Sequence, residues 1–348
     1  MKILIINRVN SSNLGDQFIG RSLKEAVSEL GHEVIVSDLS GSQQTAQIKE
    51  VPYKHFKNRR RFKIMKTVKW ALSHHTLANN VYDYASIDCV IIGGGELLQD
   101  NNAFPFALYK WVKAIKEVNP SCHIYLFGVG VTNSFSLISK FFITKAVSKI
   151  DGAYTRDAKS RKNLKDIFDI DSIEMPDVTF LFKTIENTNQ KEGALLGITS
   201  YYRVKYYGAF DSENQYFEKM YKIADNLCKK YENITCIYSD NDDNAACHEF
   251  VKWCNKNKGV LYNVASYKDL DGFIRLIDKS LFIESPRMHA CILGMLLGCD
   301  IKPIIISEKM KSFSGKYLSN EKEIIIETCK EQARKHLLEI IDDKCNKE

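Results

Sequence analysis

An arginine and a histidine two residues apart occur in Ser285-Pro286-Arg287-Met288-His289, where one apolar run gives way to another. Such a junction sets a fixed cation beside a group that titrates near neutrality, which suits anion binding and proton transfer. A histidine satisfied near a helix start is the bland alternative, and the buried strand before it favours a functional role. In Tyr154-Thr155-Arg156-Asp157, Arg156 closes a short strand and Asp157 is placed to cap the helix that follows. The planar guanidinium suits a carboxylate or phosphate, although a surface ion pair is the commoner fate of an arginine. Gly93-Gly94-Gly95 follows another buried strand. Its backbone N–H groups can hold an anion, or the three glycines make a tight turn beneath a helix. The run matches neither G-x-G-x-x-G nor the P-loop, so neither a dinucleotide nor ATP is called for. In Asn13-Leu14-Gly15-Asp16, Asp16 reads as a helix cap, Gly15 as a point of close approach or positive φ, and Asn13 as a ligand contact. Lys309, after a late strand, is either a further charge at the same edge or a solvated lysine.

These residues need a frame, and the apolar periodicity supplies one. A strand at 2–6, a helix with apolar positions from Ile19 to Leu30 and a strand at 33–37 make a βαβ unit, with Gly31 placed to end the helix. Such a unit implies a parallel sheet with right-handed crossovers. Strands at 89–92, 123–127 and around Ala153 continue it, with helices at 104–118 and 157–168. The polar stretch 183–192 breaks the pattern, which then restarts with strands at 194–199, 234–238, 260–264, 281–284 and 301–306. Helices at 216–230, 244–255, 267–277 and 288–297 separate these strands, and a last helix covers 321–341. The expected fold is α/β, with two Rossmann-like domains facing across a cleft: 1–185, 190–320 and a C-terminal helix in 321–348. In such sheets ligands sit beyond the carboxyl ends of the strands, where the residues named above fall.

Composition narrows the classes. With 348 residues, 45% hydrophobic and 26% charged, the chain is an ordinary globular protein. Its ten cysteines include no CxxC pair and no metal-ligand spacing, which reads as buried thiols in a reducing compartment. No run approaches the roughly 20 apolar residues of a spanning helix, and the N-terminus lacks a signal peptide, so a cytoplasmic location is expected. The net charge of +6 is local: 51–82 holds eight Lys/Arg and no acidic residue, leaving the remainder slightly acidic. Within 54–70, Lys57, Arg59, Arg60, Arg61, Lys63, Lys66 and Lys69 interleave with Phe62, Ile64, Met65 and Val68. This reads as an amphipathic helix, either suited to an anionic membrane surface or packed on its apolar face. No stacking platform accompanies it, so nucleic acid is not expected.

The order of NLGD, GGG, TRD-x-x-S from Thr155 to Ser160, PDVTF from Pro176 to Phe180, S-x-R-x-H and then Lys309 resembles polysaccharide pyruvyl transferases over residues 1–312. The resemblance implies a GT-B-like fold and transfer of pyruvate from phosphoenolpyruvate to hydroxyls of a glycan sugar, giving a cyclic ketal. It implies roles for Arg287 and His289 at the donor site with help from Arg156, and an acidic residue after the glycines, matched here by Asp100. Asn13, Asp16, Gly93, Gly94, Gly95, Ser285 and Lys309 complete the expected binding set. No metal or resident cofactor is expected. A lipid-linked oligosaccharide is the expected acceptor, with peripheral membrane contact through 54–70. The sequence departs from the family pattern at Gln17, where glutamate is common, and at Pro176-Asp177-Val178, which lacks the usual aspartate-proline pair. A GT-B glycosyltransferase using a nucleotide sugar and a non-catalytic glycan-binding homologue are the alternatives.

Overall fold

The computed structural model describes residues 1–41, 45–49, 77–79, 81–100, 103–184, 190–319 and 321–345. The basic stretch 54–70 lies outside the described residues. Six parallel strands form the first sheet: β1 (Lys2–Asn7), β2 (Glu33–Asp38), β3 (Cys89–Gly93), β4 (His123–Val129), β5 (Gly152–Thr155) and β6 (Ile173–Glu174), in the order 2-1-3-4-5-6. Alternation along these strands buries both faces. Leu4, Ile6, Val90, Ile92, Ile124 and Leu126 enter one core, whereas Ile3, Ile5, Cys89, Ile91, Tyr125 and Phe127 enter the other. The first face is covered by α2 (Phe104–Val118), α3 (Leu137–Val147) and α4 (Ala158–Phe168). The second takes Ile19, Leu23 and Val27 of α1 (Leu14–Glu29).

The second sheet, also parallel, has the order 11-10-7-8-9 and comprises β7 (Glu192–Gly197), β8 (Ile234–Ile237), β9 (Asn263–Val264), β10 (Ser280–Ser285) and β11 (Asp300–Pro303). Around it lie α5 (Tyr201–Tyr206), α6 (Glu213–Cys228), α7 (Asn241–Lys258), α8 (Leu270–Asp278), α9 (Met288–Leu296) and α10 (Glu308–Tyr317). The last helix, α11 (Lys322–Cys345), returns to the first half and seats Ala333, Leu337, Ile340 and Ile341 in the core that holds Ile3 and Ile5. The two parallel sheets agree with the α/β reading. The strand expected at 260–264 shrinks to Asn263–Val264, with Leu261 exposed. The helices α3, α5 and α10 were not anticipated.

The halves meet in one apolar seam. Leu14, Phe18, Phe180 and Phe182 from the first half pack in the core of the second. The Leu14 N–H donates to Ser239 O at 2.8 Å, and Arg21 of α1 pairs with Asp271 of α8. Nine described cysteines are free thiols, and all but Cys228 are buried.

Candidate functional site

The α1 N-terminus makes the first wall. Asn13, not Asp16, caps this helix: its side chain accepts from Gly15 N at 3.0 Å. The helix starts at Leu14, which puts Asp16 three residues past the cap and frees it to pair with Arg8 at 2.8 Å. Gly15 has no positive φ, and its value lies in close approach. A methyl group there would stand 2.3 Å from Nδ1 of His289, which arrives from the other half on α9. Gly15→Ala is therefore expected to displace the imidazole and lower turnover at least about tenfold. Its melting temperature should fall, because moving the imidazole away from buried Asp177 outweighs the gain of about 1 kcal/mol from alanine over glycine within a helix. Unchanged turnover in that variant would mean the imidazole position is immaterial.

On its other side His289 faces Asp177, with Nε2 3.6 Å from Oδ2, an ion-pair distance beyond a hydrogen bond. Asp177 is 2% exposed and caps a 3₁₀ turn (Val178–Leu181), accepting from Thr179 N at 3.1 Å and from Thr179 Oγ1 at 2.7 Å. Burial pushes the Asp177 carboxyl up, but His289, Arg156 and Thr179 together hold it well below the usual carboxylate range. Neither Asp177 Oδ2 nor His289 Nε2 has a hydrogen-bond partner among the described residues.

Arg156 is 6% exposed and seated by Gly130, where a Cβ would come within 2.6 Å of Nη2. Its Nε lies 3.4 Å from Asp157, which caps α4 as expected through Ser160 N, and its buried Nη1 has no partner among the described residues. A desolvated guanidinium nitrogen without an acceptor is primed for an anion. Lys309, in the first turn of α10, joins this group. Burial and Arg156 push its ammonium down to about 8, against the opposing pull of Glu96, Asp177 and Asp16. Cations from both halves thus share one field at the seam.

Arg287 has a different setting from its neighbour. Its side chain turns into the second half, donating from Nε to Asp243 Oδ2 at 2.7 Å and from Nη2 to Asp243 Oδ1 at 2.6 Å. The same Nη2 reaches Asp240 at 3.3 Å, and Arg203 of α5 also pairs with Asp240. Burial and Asp243 raise the Asp240 carboxyl. For Asp243 burial also raises, yet Arg287, Arg203 and Thr199 bring it below the usual range. The Arg287 Nη1 carries none of these bonds. Tyr207 lies within the electrostatic reach of Glu96, Arg287 and Arg203.

The remaining expected residues have mainly local partners. Ser285 Oγ accepts from Arg287 N at 3.1 Å beneath Gly197, and so shapes the turn into α9. Gly93 lies in β3, and the Gly94 N–H donates to Phe127 O at 2.7 Å. Gly94 and Gly95 have φ of 73° and 72°, and a Cβ on Gly94 would fall 2.0 Å from Ile19. Close packing under α1 accounts for the glycine run, and Gly95 O accepts from Gly130 N at 2.7 Å, linking the two glycine loops. Asp100 accepts from Ser136 Oγ at 3.0 Å and from Ser139 Oγ at the start of α3, so its known contacts are not with His289 or Arg156. The carboxylate after the glycines that shares the field of Lys309 is Glu96. Sequence reasoning passed over Glu96, Asp177, Arg203, Asp240 and Asp243. Asp177 had a signal in PDVTF, and Glu96 had one in its place after the glycines.

Comparison with solved structures places this arrangement in a class. A protein assigned as a UDP-N-acetylglucosamine 2-epimerase from Listeria monocytogenes superposes with a TM-score of 0.51 at 11% identity, over 99% of this chain and 88% of that one. The Methanocaldococcus jannaschii UDP-GlcNAc 2-epimerase gives a TM-score of 0.50 at 10% identity, over 98% and 99%. At such identities the likeness establishes the fold alone, the two-domain arrangement of GT-B enzymes. A search of curated proteins finds no match. The family model for polysaccharide pyruvyl transferase matches residues 13–300, and the chain belongs to that family.

Proposed function

We propose that the protein transfers pyruvate from phosphoenolpyruvate to two hydroxyls of a glycan sugar, forming a cyclic ketal and releasing inorganic phosphate. The observation that carries this reading is the grouping of Arg156 and Lys309 with His289 and Asp177 at the interdomain seam. Phosphoenolpyruvate presents two anionic groups, and the cluster offers cations on two sides. Arg156 Nη1 and Lys309 hold the phosphate, while Arg287 and Arg203 face the carboxylate from the second half. The first hydroxyl adds to C2 as C3 gains a proton and becomes methyl. Phosphate then leaves C2, and the second hydroxyl closes the ring. Two hydroxyl protons are lost, one replacing the proton taken up by C3 and one leaving with phosphate. His289, oriented by Asp177, delivers the proton, and Glu96 takes the role of hydroxyl base that Asp100 was expected to fill.

No resident cofactor enters this scheme, because phosphoenolpyruvate is a substrate. We place the reaction in the cytoplasm on a lipid-linked oligosaccharide, with peripheral contact at the inner membrane face through 54–70 and with no nucleic acid partner. Among the described residues, no helix is long and apolar enough to cross a membrane.

A thermal-shift titration tests the donor assignment, since a ligand that binds only the native state raises its melting temperature. Phosphoenolpyruvate is expected to raise it more than inorganic phosphate or UDP-sugars do, and Arg156→Ala should abolish the difference. Arg287→Ala is the poorer probe, because it leaves buried Asp243 unpaired at a cost of about 3–5 kcal/mol. A shift with UDP-sugars alone would replace this reading with a nucleotide-sugar glycosyltransferase. No shift with any of these ligands would favour a glycan-binding homologue.

A further inference from the structure

Helix α3 carries a feature that the donor cluster does not use. It packs inward through Ser139, Ile143, Ala146 and Val147. On the opposite side Leu137 is 86% exposed, Ile138 68% and Phe141 56%. Helical spacing brings these side chains and Lys145 onto one face, with Lys149 just beyond the helix and Lys140 at its flank. The Lys145 ammonium lies 5.9 Å from the Phe141 ring centroid, over its face. Residues 121–150 include no aspartate or glutamate, so no acidic group of this stretch offsets the three lysines. Asp100, the carboxylate that reaches the start of α3 from the glycine loop, accepts from Ser136 and Ser139 on the helix's own first turn.

Three adjacent apolar side chains in water are costly, and a ring of lysines sets the kind of surface that would cover them. Apolar residues that enter an acyl boundary with ammonium groups at headgroup level are the pattern of an interfacial helix. We propose that this face of α3 docks the protein on an anionic lipid bilayer. The position suits the reaction. The helix follows β4 at the carboxyl edge of the sheet, and Asp100 ties its first turn to the loop after β3 that bears Glu96. A bilayer held by α3 would therefore lie on the edge of the molecule where the donor cluster opens, within reach of a lipid-linked sugar.

This inference rests on the peripheral-membrane part of the proposed function and assigns it a surface. The full-length protein would be floated with vesicles of phosphatidylcholine alone and of phosphatidylcholine mixed with phosphatidylglycerol. Binding is expected only with phosphatidylglycerol present. A Leu137→Ser, Ile138→Ser, Phe141→Ser triple variant and a Lys140→Ser, Lys145→Ser double variant should each bind on the order of tenfold more weakly. Both should keep the wild-type melting temperature and its rise with phosphoenolpyruvate. A wild-type protein that never floats would sink the membrane reading as a whole, leaving the donor assignment to its own test. Undiminished flotation of the triple variant, with loss only when Lys57, Arg59, Arg60 and Arg61 are made serine, would overturn the role of α3 alone. A wild-type dimer that the triple variant splits, without change in flotation, would give the face to a second copy of the chain.

Discussion

His289→Asn is expected to lower turnover by about 10²–10⁴-fold, the usual contribution of a positioned proton donor, with donor binding largely kept. The measurement is phosphate release from phosphoenolpyruvate in the presence of a lipid-linked oligosaccharide extract. The companion change, Asp177→Asn, should cost less turnover. An asparagine can still accept from Thr179, whose backbone and hydroxyl hold the native carboxylate, but it removes the charge that faces Nε2 across 3.6 Å. Because Asp177 is held well below the usual carboxylate range, it stays ionised under any assay condition near neutrality. A turnover step seen in that range therefore belongs to another group, and it should persist in Asp177→Asn. Wild-type turnover in His289→Asn would sink the proton-donor role, and the cluster would then be a binding site only.

Much of the frame could be read from the chain, because apolar alternation in Ile3–Ile6, Val90–Ile92 and Ile124–Phe127 fills two cores at once. Residues just after strand ends were legible for the same reason: Arg156 follows β5, and His289 enters α9 soon after β10, runs whose burial is plain. Helix α3 was hidden because Leu137, Ile138 and Phe141 face solvent while Ile143, Ala146 and Val147 face inward, so apolar residues fall on both sides and no single stripe stands out. Asp100 was chosen by its place in a motif, yet its partners are two serines that stand well over thirty residues away in the chain. Arg287 and His289 read as one unit because they are neighbours. Their partners are not: Asp243 belongs to the second half and Asp177 to the first. The His289–Asp177 pair is settled by how the halves dock, and spacing within either half is silent on that. Gly15 illustrates the same limit. Its sequence reading allowed a strained turn, whereas the need comes from an imidazole 274 positions later.

Lys309→Met is expected to melt higher than the wild type below about pH 8 and to bind phosphoenolpyruvate at least about tenfold more weakly. The reasoning follows the proton. Burial and Arg156 lower this ammonium to about 8, below the ordinary lysine value of about 10.4. Between those two values the unfolded chain holds a proton that the folded chain has released, so wild-type stability rises with pH across that window. Below about 8 both states are protonated, and the native state bears the cost of a partly desolvated cation beside Arg156. A methionine of similar length removes that cost, so its advantage in melting temperature should shrink from about pH 8 towards pH 10. Donor binding moves the opposite way. A phosphate beside Lys309 favours the charged form, so affinity should fall as pH passes about 8, by up to about tenfold per unit, and this dependence should vanish in Lys309→Met. Melting curves of both proteins across that range, with and without phosphoenolpyruvate, read both effects. A variant that melts lower and keeps the wild-type pH dependence of the donor shift would show that Lys309 is a packing residue. The opposite result would show a cation kept at a cost to stability because the donor needs it.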